Sequence, residues 1–146
     1  MRIVPPVLLL IFIVAMVLSH YLIPGPIFAP RPYNLIGIVL MVVGFGIGLP
    51  AALRFRRVRT NLNTFNEPTV LVTDVVFRWT RNPMYLGMIV LLFGLAVLLG
   101  TLVPLLLAAV FAIIADRWYV RFEESAMRAK FGAAYEAYAS QTRRWL

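Results

Sequence analysis

The chain has 146 residues, of which 62% are hydrophobic and 14% are charged, and its net charge is +8. Soluble domains are closer to half apolar and a quarter charged, so this polar surface is too scarce to coat a water-soluble globule. The composition predicts an integral membrane protein of one domain. With no cysteine and one histidine, the sequence excludes disulfides and thiolate chemistry and argues against a metal site.

Two long apolar stretches open the chain. Crossing about 30 Å of hydrocarbon takes about 20 helical residues. We expect the first span over residues 4–23 and the second over residues 33–53. The second span ends where a run of arginines begins at Arg54, as is typical of a helix that reaches a membrane interface.

A third apolar stretch, residues 84–115, contains no charged residue and is too long for one crossing. It is interrupted by Gly100, Thr101 and Pro104, so we expect a tight hairpin of two helices there. The second helix of the hairpin should continue past Asp116 into water. The sequence therefore predicts an all-α, polytopic bundle of four transmembrane helices.

Basic residues cluster in the loop between the second and third spans and in the tail, whereas the opposite connections carry Arg31 alone. The positive-inside rule then predicts a cytoplasmic location for both termini, this loop and a C-terminal helix, and we expect the bacterial inner membrane. We also expect the arginines to contact membrane lipids through anionic headgroups, and no nucleic acid to bind. The clustered residues are Arg54, Arg56, Arg57, Arg59, Arg78 and Arg81 in the loop and Arg117, Arg121, Arg128, Lys130, Arg143 and Arg144 in the tail.

The second span contains Gly44, Gly46 and Gly48. A Gly-x-x-x-Gly pair permits the close approach of membrane helices. A nucleotide-binding loop would need a turn from a strand into a helix, which this context does not offer. We interpret these glycines as a packing face.

The chemically informative residues are the stretch from Arg81 to Gly87 and the pair Glu123-Glu124. A helical hairpin returns the chain to the membrane face that it left, so both motifs should lie at one end of the bundle. Arg81 and the free N–H groups of a helix start can hold a carboxylate, and a glutamate can hold an ammonium, which together suit a zwitterion. Taken singly, the same residues are typical of a topology signal, a helix-start proline and a solvated helix end.

Taken together, these motifs resemble the integral membrane methyltransferases that include isoprenylcysteine carboxyl methyltransferase and the phospholipid (phosphatidylethanolamine) methyltransferases. The shared signature is an Asn-Pro-Met-Tyr type of loop, a glycine, a Glu-Glu pair after a helical hairpin, and a Phe-Gly-x-x-Tyr-x-x-Tyr tail. The resemblance extends over residues 60–145, whereas residues 1–59 carry no motif. The matching residues are Arg81, Asn82, Pro83, Met84, Tyr85, Gly87, Glu123, Glu124, Phe131, Gly132, Tyr135 and Tyr138.

This resemblance implies S-adenosylmethionine as the methyl donor and a lipid or lipophilic acceptor that arrives from the bilayer. It implies catalytic roles for Arg81 and Glu124, and contacts from Glu123 and Glu124 to the amino group or ribose of the cofactor, in either assignment. Tyr135 and Tyr138 share one helix face, where they either cover the adenine or pack the tail. The implied cofactor-binding residues are Arg81, Asn82, Pro83, Tyr85, Leu86, Gly87, Glu123, Glu124 and Tyr135.

Two positions depart from the family pattern. Asn82 stands where many relatives have a histidine. The phospholipid branch of the family also has an asparagine at this position. Many relatives have a glycine ahead of the loop where this chain has Val75. Because valine rarely adopts a positive φ, we expect the backbone to differ there.

Two other function classes fit parts of the sequence. A non-enzymatic membrane scaffold or assembly protein would hold anionic lipid through its arginines and recruit partners through its helices, but it gives the two motifs no role. A transporter usually carries an ionisable residue at mid-membrane depth, and the predicted spans have none there. The methyltransferase is therefore the leading hypothesis.

Overall fold

A computed structural model describes residues 3–23, 25–57 and 70–146. Two 3-10 turns, Tyr33–Leu35 and Val75–Arg78, precede the second and third helices, and a π-helical segment, Ala115–Val120, joins the fourth to the fifth. Within the described residues the regular structure is helical and no β-strand occurs, which confirms the all-α class. The helices are α1 (Pro5–Leu22), α2 (Ile36–Arg57), α3 (Pro83–Leu99), α4 (Leu102–Ile114), α5 (Arg121–Phe131) and α6 (Ala133–Gln141).

Three helical stretches are long and apolar enough to cross a membrane: Pro5–Leu22, Tyr33–Phe55 and Leu102–Phe131. The first two agree closely with the predicted spans. Helix α3 is also apolar and has 17 residues, which corresponds to a length of about 26 Å at about 1.5 Å per residue. These helices identify an integral membrane protein.

A tight turn joins α3 to α4 where the sequence predicts it. Gly100 ends α3 in the left-handed conformation with a φ of 71°, which glycine adopts without steric cost. A Cβ at this position would lie 2.5 Å from the carbonyl oxygen of Ala29. Thr101 then leads into α4, so the predicted hairpin is confirmed.

The connection between α1 and α2 packs against this hairpin turn. The backbone N–H of Phe28 donates to the carbonyl oxygen of Gly100 at 2.9 Å, and that of Leu102 donates to Pro26 at 3.1 Å. Both connections therefore lie at one end of the bundle. The opposite end, where α2 finishes and α3 begins, is called the site end below.

Helices α2 and α3 pack antiparallel through glycines. A Cβ on Gly44 would lie 2.7 Å from the backbone oxygen of Gly87, and a Cβ on Gly37 would overlap the backbone oxygen of Gly94. No side chain fits at such contacts. A Cβ on Gly46 would have no neighbouring atom within 4 Å, so the predicted packing face uses Gly44 and leaves Gly46 outside.

The remaining helices enclose an apolar core between α1, α3 and α4. Met16, Leu92 and Phe111 are almost completely buried there. The rings of Phe12 and Phe111 meet edge to face with their centroids 5.4 Å apart, a favourable aromatic geometry. This core holds the hairpin against α1.

The helix that starts at Leu102 continues well beyond the apolar stretch, as predicted. Helix α4, the π-helical segment and α5 form one helical stretch, Leu102–Phe131. This stretch carries Glu123 and Glu124 in the first turn of α5. The long helix therefore delivers both carboxylates to the site end.

The loop before α3 is described from residue 70 onward, and the predicted loop residues 60–69 lie outside the described residues. Val75 has a φ of 54°, so our expectation that valine would avoid a positive φ here is wrong. The following turn is closed by a hydrogen bond of 3.0 Å from the Phe77 N–H to Asp74. Because Phe77 is buried in a cluster with Val72, its packing overrides the local preference of a β-branched residue.

Candidate active site

The two motifs meet at the site end through a hydrogen bond and an ion pair. Tyr85 Oη donates to Glu123 Oε1 at 2.7 Å, and Arg81 Nη2 lies 3.2 Å from Glu124 Oε1. Pro83 is the first residue of α3, a position where its missing N–H removes no helical hydrogen bond. The predicted proximity of the two motifs is confirmed.

These residues surround a cavity, called the polar cavity below, among α2, α3, α5 and α6. Its free volume is about 50 Å³, which has room for a few water molecules. Charged groups line one part of it and aromatic and aliphatic side chains line the rest. The lining residues are Phe55, Leu71, Val72, Phe77, Arg81, Asn82, Pro83, Met84, Tyr85, Glu123, Glu124, Met127, Tyr135 and Tyr138.

Glu124 is a buried carboxylate, with a side chain only 3% exposed. Arg144 from the tail binds it at two points, Nε to Oε1 at 3.2 Å and Nη2 to Oε2 at 2.7 Å. Arg128 lies 3.9 Å away, one helical turn further along α5. The hydrogen bonding to Glu124 raises the pKa of Arg144. A buried carboxylate needs such partners, and Glu124 is therefore the centre of an ion-pair cluster.

The tail folds back over the start of α3. Thr80 Oγ1 and Asn82 Nδ2 both donate to the carbonyl oxygen of Arg144, at 3.0 and 3.1 Å. The backbone N–H of Arg81 donates to the carbonyl oxygen of Arg143 at 3.0 Å. Sequence reasoning counts Arg144 among the membrane-surface charges and misses these contacts. Its position shortly after the tyrosines of the tail motif is the signal that could have suggested them.

One of the hydrogen-bond donors of Arg81 is unused within the described part of the chain. Its Nη1 donates to the carbonyl oxygen of Ala139 at 2.8 Å, and its Nη2 faces Glu124. Its Nε is buried and has no hydrogen-bond partner within the described part of the chain. Leaving a buried donor unpaired is costly in free energy, and a guanidinium N–H in this state can donate a hydrogen bond to a carboxylate.

Tyr135 and Tyr138 both line the polar cavity, and their rings meet edge to face with centroids 6.2 Å apart. Tyr138 Oη donates to the carbonyl oxygen of Phe77 at 2.6 Å. Burial raises the pKa of Tyr138 to about 12, with a further contribution from Tyr135, so this hydroxyl stays protonated as a donor at neutral pH. Tyr138 therefore packs the tail, while Tyr135 is 3% exposed and presents its ring to the cavity.

Leu86 and Gly87 lie outside the lining of the polar cavity. The Leu86 N–H bonds to the carbonyl oxygen of Asn82 at 2.9 Å, which closes the first turn of α3. A Cβ on Gly87 would lie 2.7 Å from the backbone oxygen of Gly44. Gly87 thus faces α2 at the helix crossing.

The protein belongs to the phospholipid methyltransferase family. A sequence model of that family matches residues 33–134, more than half of the chain. The match includes α2 to α5, and therefore both motifs that meet at the polar cavity, whereas α1 and Arg144 lie outside it. The search of curated proteins and the search of solved structures each found no match. Membership makes the protein a membrane methyltransferase. It favours this class over the scaffold and the transporter, because neither of those functions would explain a match to a methyltransferase family.

The groups around the polar cavity fit a zwitterionic cofactor with an aromatic base, such as S-adenosylmethionine. The unpaired Arg81 Nε suits a carboxylate, the carboxylates of α5 suit an ammonium, and the Tyr135 ring suits a base. A free volume of about 50 Å³ is too small for such a molecule, so side chains or the tail would have to move to admit it. Across residues 3–23, 25–57 and 70–146, no group of three or more His, Asp or Glu residues is placed to hold a metal ion.

Proposed function

We propose that this protein is an S-adenosylmethionine-dependent methyltransferase that acts on a lipid or lipophilic acceptor, of the phospholipid amine or isoprenylcysteine carboxyl type. The observation that carries the proposal is the meeting of Arg81 and Tyr85 with Glu124 and Glu123 around one cavity. The family match supports methyl transfer as the reaction. When bound, the cofactor would supply a methyl group on a sulfonium, for transfer to a lone pair of the acceptor with the electron pair of the C–S bond left on sulfur.

In this proposal Arg81 binds the carboxylate of the cofactor. Its unpaired Nε supports the role, and arginine suits carboxylates because its donors are fixed in one plane. Glu124 is already neutralised by Arg144 and Arg81, so it attracts a further cation less strongly and instead holds Arg81 in place. Glu123, which accepts a hydrogen bond from the Tyr85 hydroxyl and lines the same cavity, is proposed to bind the ammonium.

Asn82 and Pro83 shape the start of α3, where free backbone N–H groups and the helix dipole favour a negative group. Tyr135 is proposed to lie against the adenine. Leu86 and Gly87 then support the site through the first turn of α3 and its contact with α2, and do not touch the cofactor.

Because a sulfonium would lose a neutral thioether, which is a good leaving group, the acceptor needs placement and removal of water more than it needs a strong base. The aromatic and aliphatic part of the cavity wall, which includes Phe55 and Phe77, can exclude water. The cavity lies where apolar helices end, which is headgroup depth in a membrane. An amphiphilic acceptor would therefore present its nucleophile there.

We further propose four spans, with both termini, the site end and α5–α6 in the cytoplasm of a bacterial cell and the spans in the inner membrane. Among the described residues, Arg54 and Arg81 of the loop and Arg144 of the tail lie at the site end, and the connections at the other end carry Arg31. Helix α3 is apolar and its 17 residues reach the lower limit of about 17 to 25 residues for a crossing. Residues 1–146 form one domain in this proposal, with residues 60–146 carrying the cofactor motifs.

The test is a transfer assay with detergent-purified protein, S-adenosylmethionine labelled in its methyl group, and a total lipid extract. We expect label in a lipid product, and we expect the loss of that product in Arg81→Ala and Arg81→Lys, because neither replacement offers two fixed donors. Arg121→Ala is the matched control, since Arg121 is an exposed arginine close to the same motif. Calorimetric titration with the cofactor accompanies the assay.

Two outcomes would change the proposal. Cofactor binding without a labelled lipid would move the acceptor to a soluble or protein-borne group. A folded protein that binds no cofactor in the titration would overturn the proposed function.

A further inference from the structure

A second cavity lies beside the polar cavity, between α2 and α3. Its volume is about 190 Å³. Its lining residues include the glycines Gly44, Gly48 and Gly87 and the side chains of Leu49, Met88 and Leu91. All of its lining residues are apolar, and it is called the apolar groove below.

The apolar groove adjoins the polar cavity. Met84 lines both of them, and the next residue, Tyr85, donates to Glu123. From Met84 the groove follows α3 as far as Leu91, about two helical turns, or about 10 Å, into the apolar part of the bundle. A molecule with a polar head in the first cavity could thus place an apolar chain in the second.

Gly48 is the residue that leaves this groove open. The glycines Gly44 and Gly87 are explained by helix contact, because a Cβ on either would lie 2.7 Å from backbone atoms of the other helix. A Cβ on Gly48 would lie 3.6 Å from the Gly87 Cα and 3.8 Å from the Met84 oxygen, which are ordinary contacts. Packing therefore does not require glycine at position 48, and glycine weakens a helix relative to alanine. The absence of a side chain at Gly48 instead keeps space in the apolar groove, which Gly48 lines.

We propose that the apolar groove holds one hydrocarbon chain of the methyl acceptor and that Gly48 determines which chains fit. This inference rests on the proposed function, since the acceptor is defined by the polar cavity. The apolar lining excludes a polar occupant. The volume supports a single chain, because a closed apolar cavity of about 150 Å³ holds a molecule of the size of benzene.

The test uses a phosphatidylethanolamine that carries a photoreactive diazirine in one acyl chain, in nanodiscs that contain the purified protein. We expect crosslinks at Met88, Leu49 or Leu91, located by mass spectrometry. Gly48→Leu fills the groove and should reduce these crosslinks at least fivefold. The matched control is Gly46→Leu, two residues away in the same helix, where a Cβ meets no atom within 4 Å.

The smaller change Gly48→Ala, whose Cβ fits without displacement, keeps the test informative if Gly48→Leu does not fold. We expect it to reduce transfer to dioleoyl phosphatidylethanolamine more than transfer to its dihexanoyl analogue, with cofactor affinity unchanged. Crosslinks spread evenly around the bundle, or the same crosslinks in the Gly48 variants as in the parent protein, would overturn the inference. If crosslinks appear at the groove while the parent protein binds no cofactor, the groove stands as a lipid site and the proposed function fails.

Discussion

Arg144 and Glu124 form a two-point ion pair, with Nε to Oε1 at 3.2 Å and Nη2 to Oε2 at 2.7 Å. Glu124 also contacts Arg81 at 3.2 Å, so the pair connects the tail to the start of α3. Arg144 is therefore part of the candidate site, although it lies beyond the residues that the family model matches.

The first prediction concerns the stability of this connection. Arg144→Gln leaves the buried carboxylate with fewer partners, and hydrogen bonds to charged groups contribute roughly 1.5 to 3 kcal/mol. Because the Arg144 side chain is 34% exposed, we expect a loss near the lower value in the free energy of unfolding, measured by denaturant titration in detergent. Arg143→Gln, an exposed neighbour whose backbone contact to Arg81 is retained, should change it little. Equal losses in both variants would show that the ion pair is not stabilising.

The second prediction separates the two glutamates. Glu123→Gln should weaken cofactor binding about tenfold, because it removes a charge-assisted contact worth roughly 1.5 to 3 kcal/mol. Glu124→Gln should weaken binding too, but it should also lower the melting temperature, because Glu124 is buried and holds two arginines. Calorimetric titration and thermal unfolding of both variants check this. If the two single variants and the double variant bind the cofactor as the parent protein does, the carboxylates are not in the site.

The third prediction concerns Val75, whose φ of 54° strains a β-branched residue. Such strain costs roughly 1 to 3 kcal/mol, whereas glycine adds a chain-entropy cost of about 0.5 to 1 kcal/mol. Val75 is largely exposed and loses little packing, so Val75→Gly should raise the free energy of unfolding by about 1 kcal/mol. Val76→Gly is the control. Val76 has no positive φ and packs against the Phe77 cluster, so this variant should be destabilised; a loss in both would contradict the strain.

The fourth prediction concerns the crossing of α2 and α3. Gly44→Ala should destabilise the protein strongly, since its Cβ would lie 2.7 Å from the backbone of α3, and overpacking typically costs about 1 to 3 kcal/mol. Gly46→Ala should be neutral or stabilising, because its Cβ is unobstructed and alanine favours helix. Thermal unfolding of the two variants in one detergent measures the difference. The same melting temperature in both would mean that the close contact is absent in the membrane protein.

The fifth prediction concerns topology. With four spans, reporters inserted between residues 25 and 32 and reporters fused after Leu146 lie on opposite sides of the membrane. Alkaline phosphatase, which is active outside the cytoplasm, should be active at the first position and inactive at the second. Activity at both positions, or at neither, would mean that one of the helices does not cross.

The sequence predicts the helices and the meeting of the two motifs, because both depend on features of short stretches of the chain. Apolar length defines the spans, and Gly100 provides the positive φ that the hairpin turn needs. The hairpin then brings the start of α3 beside the start of α5. The contact of Arg144 is not local: it depends on the reversal at Gly132, with a φ of 49°, and on the way α6 packs afterwards. In the sequence, Arg143 and Arg144 both follow the tail tyrosines closely, and this signal does not separate the arginine that binds Glu124 from its neighbour.

Val75 and Gly87 also show that packing between distant residues cannot be predicted from the local sequence. The conformation of Val75 is decided by the burial of Phe77 and not by its own preference. Gly87 lies inside the motif, yet its immediate neighbour is α2. A family motif identifies residues that belong together, whereas the surrounding packing decides which of them face the cavity.

The π-helical segment Ala115–Val120 determines the direction in which α5 presents its side chains. A π turn contains one residue more than an α turn, and one residue corresponds to about 100° of rotation in a helix of about 3.6 residues per turn. Without that residue, Glu123 and Glu124 would rotate by this angle away from Tyr85 and Arg81. The segment thus rotates the face that the helix presents. In the membrane part the helix packs its apolar side against the bundle, and beyond the segment it directs its carboxylates to the polar cavity.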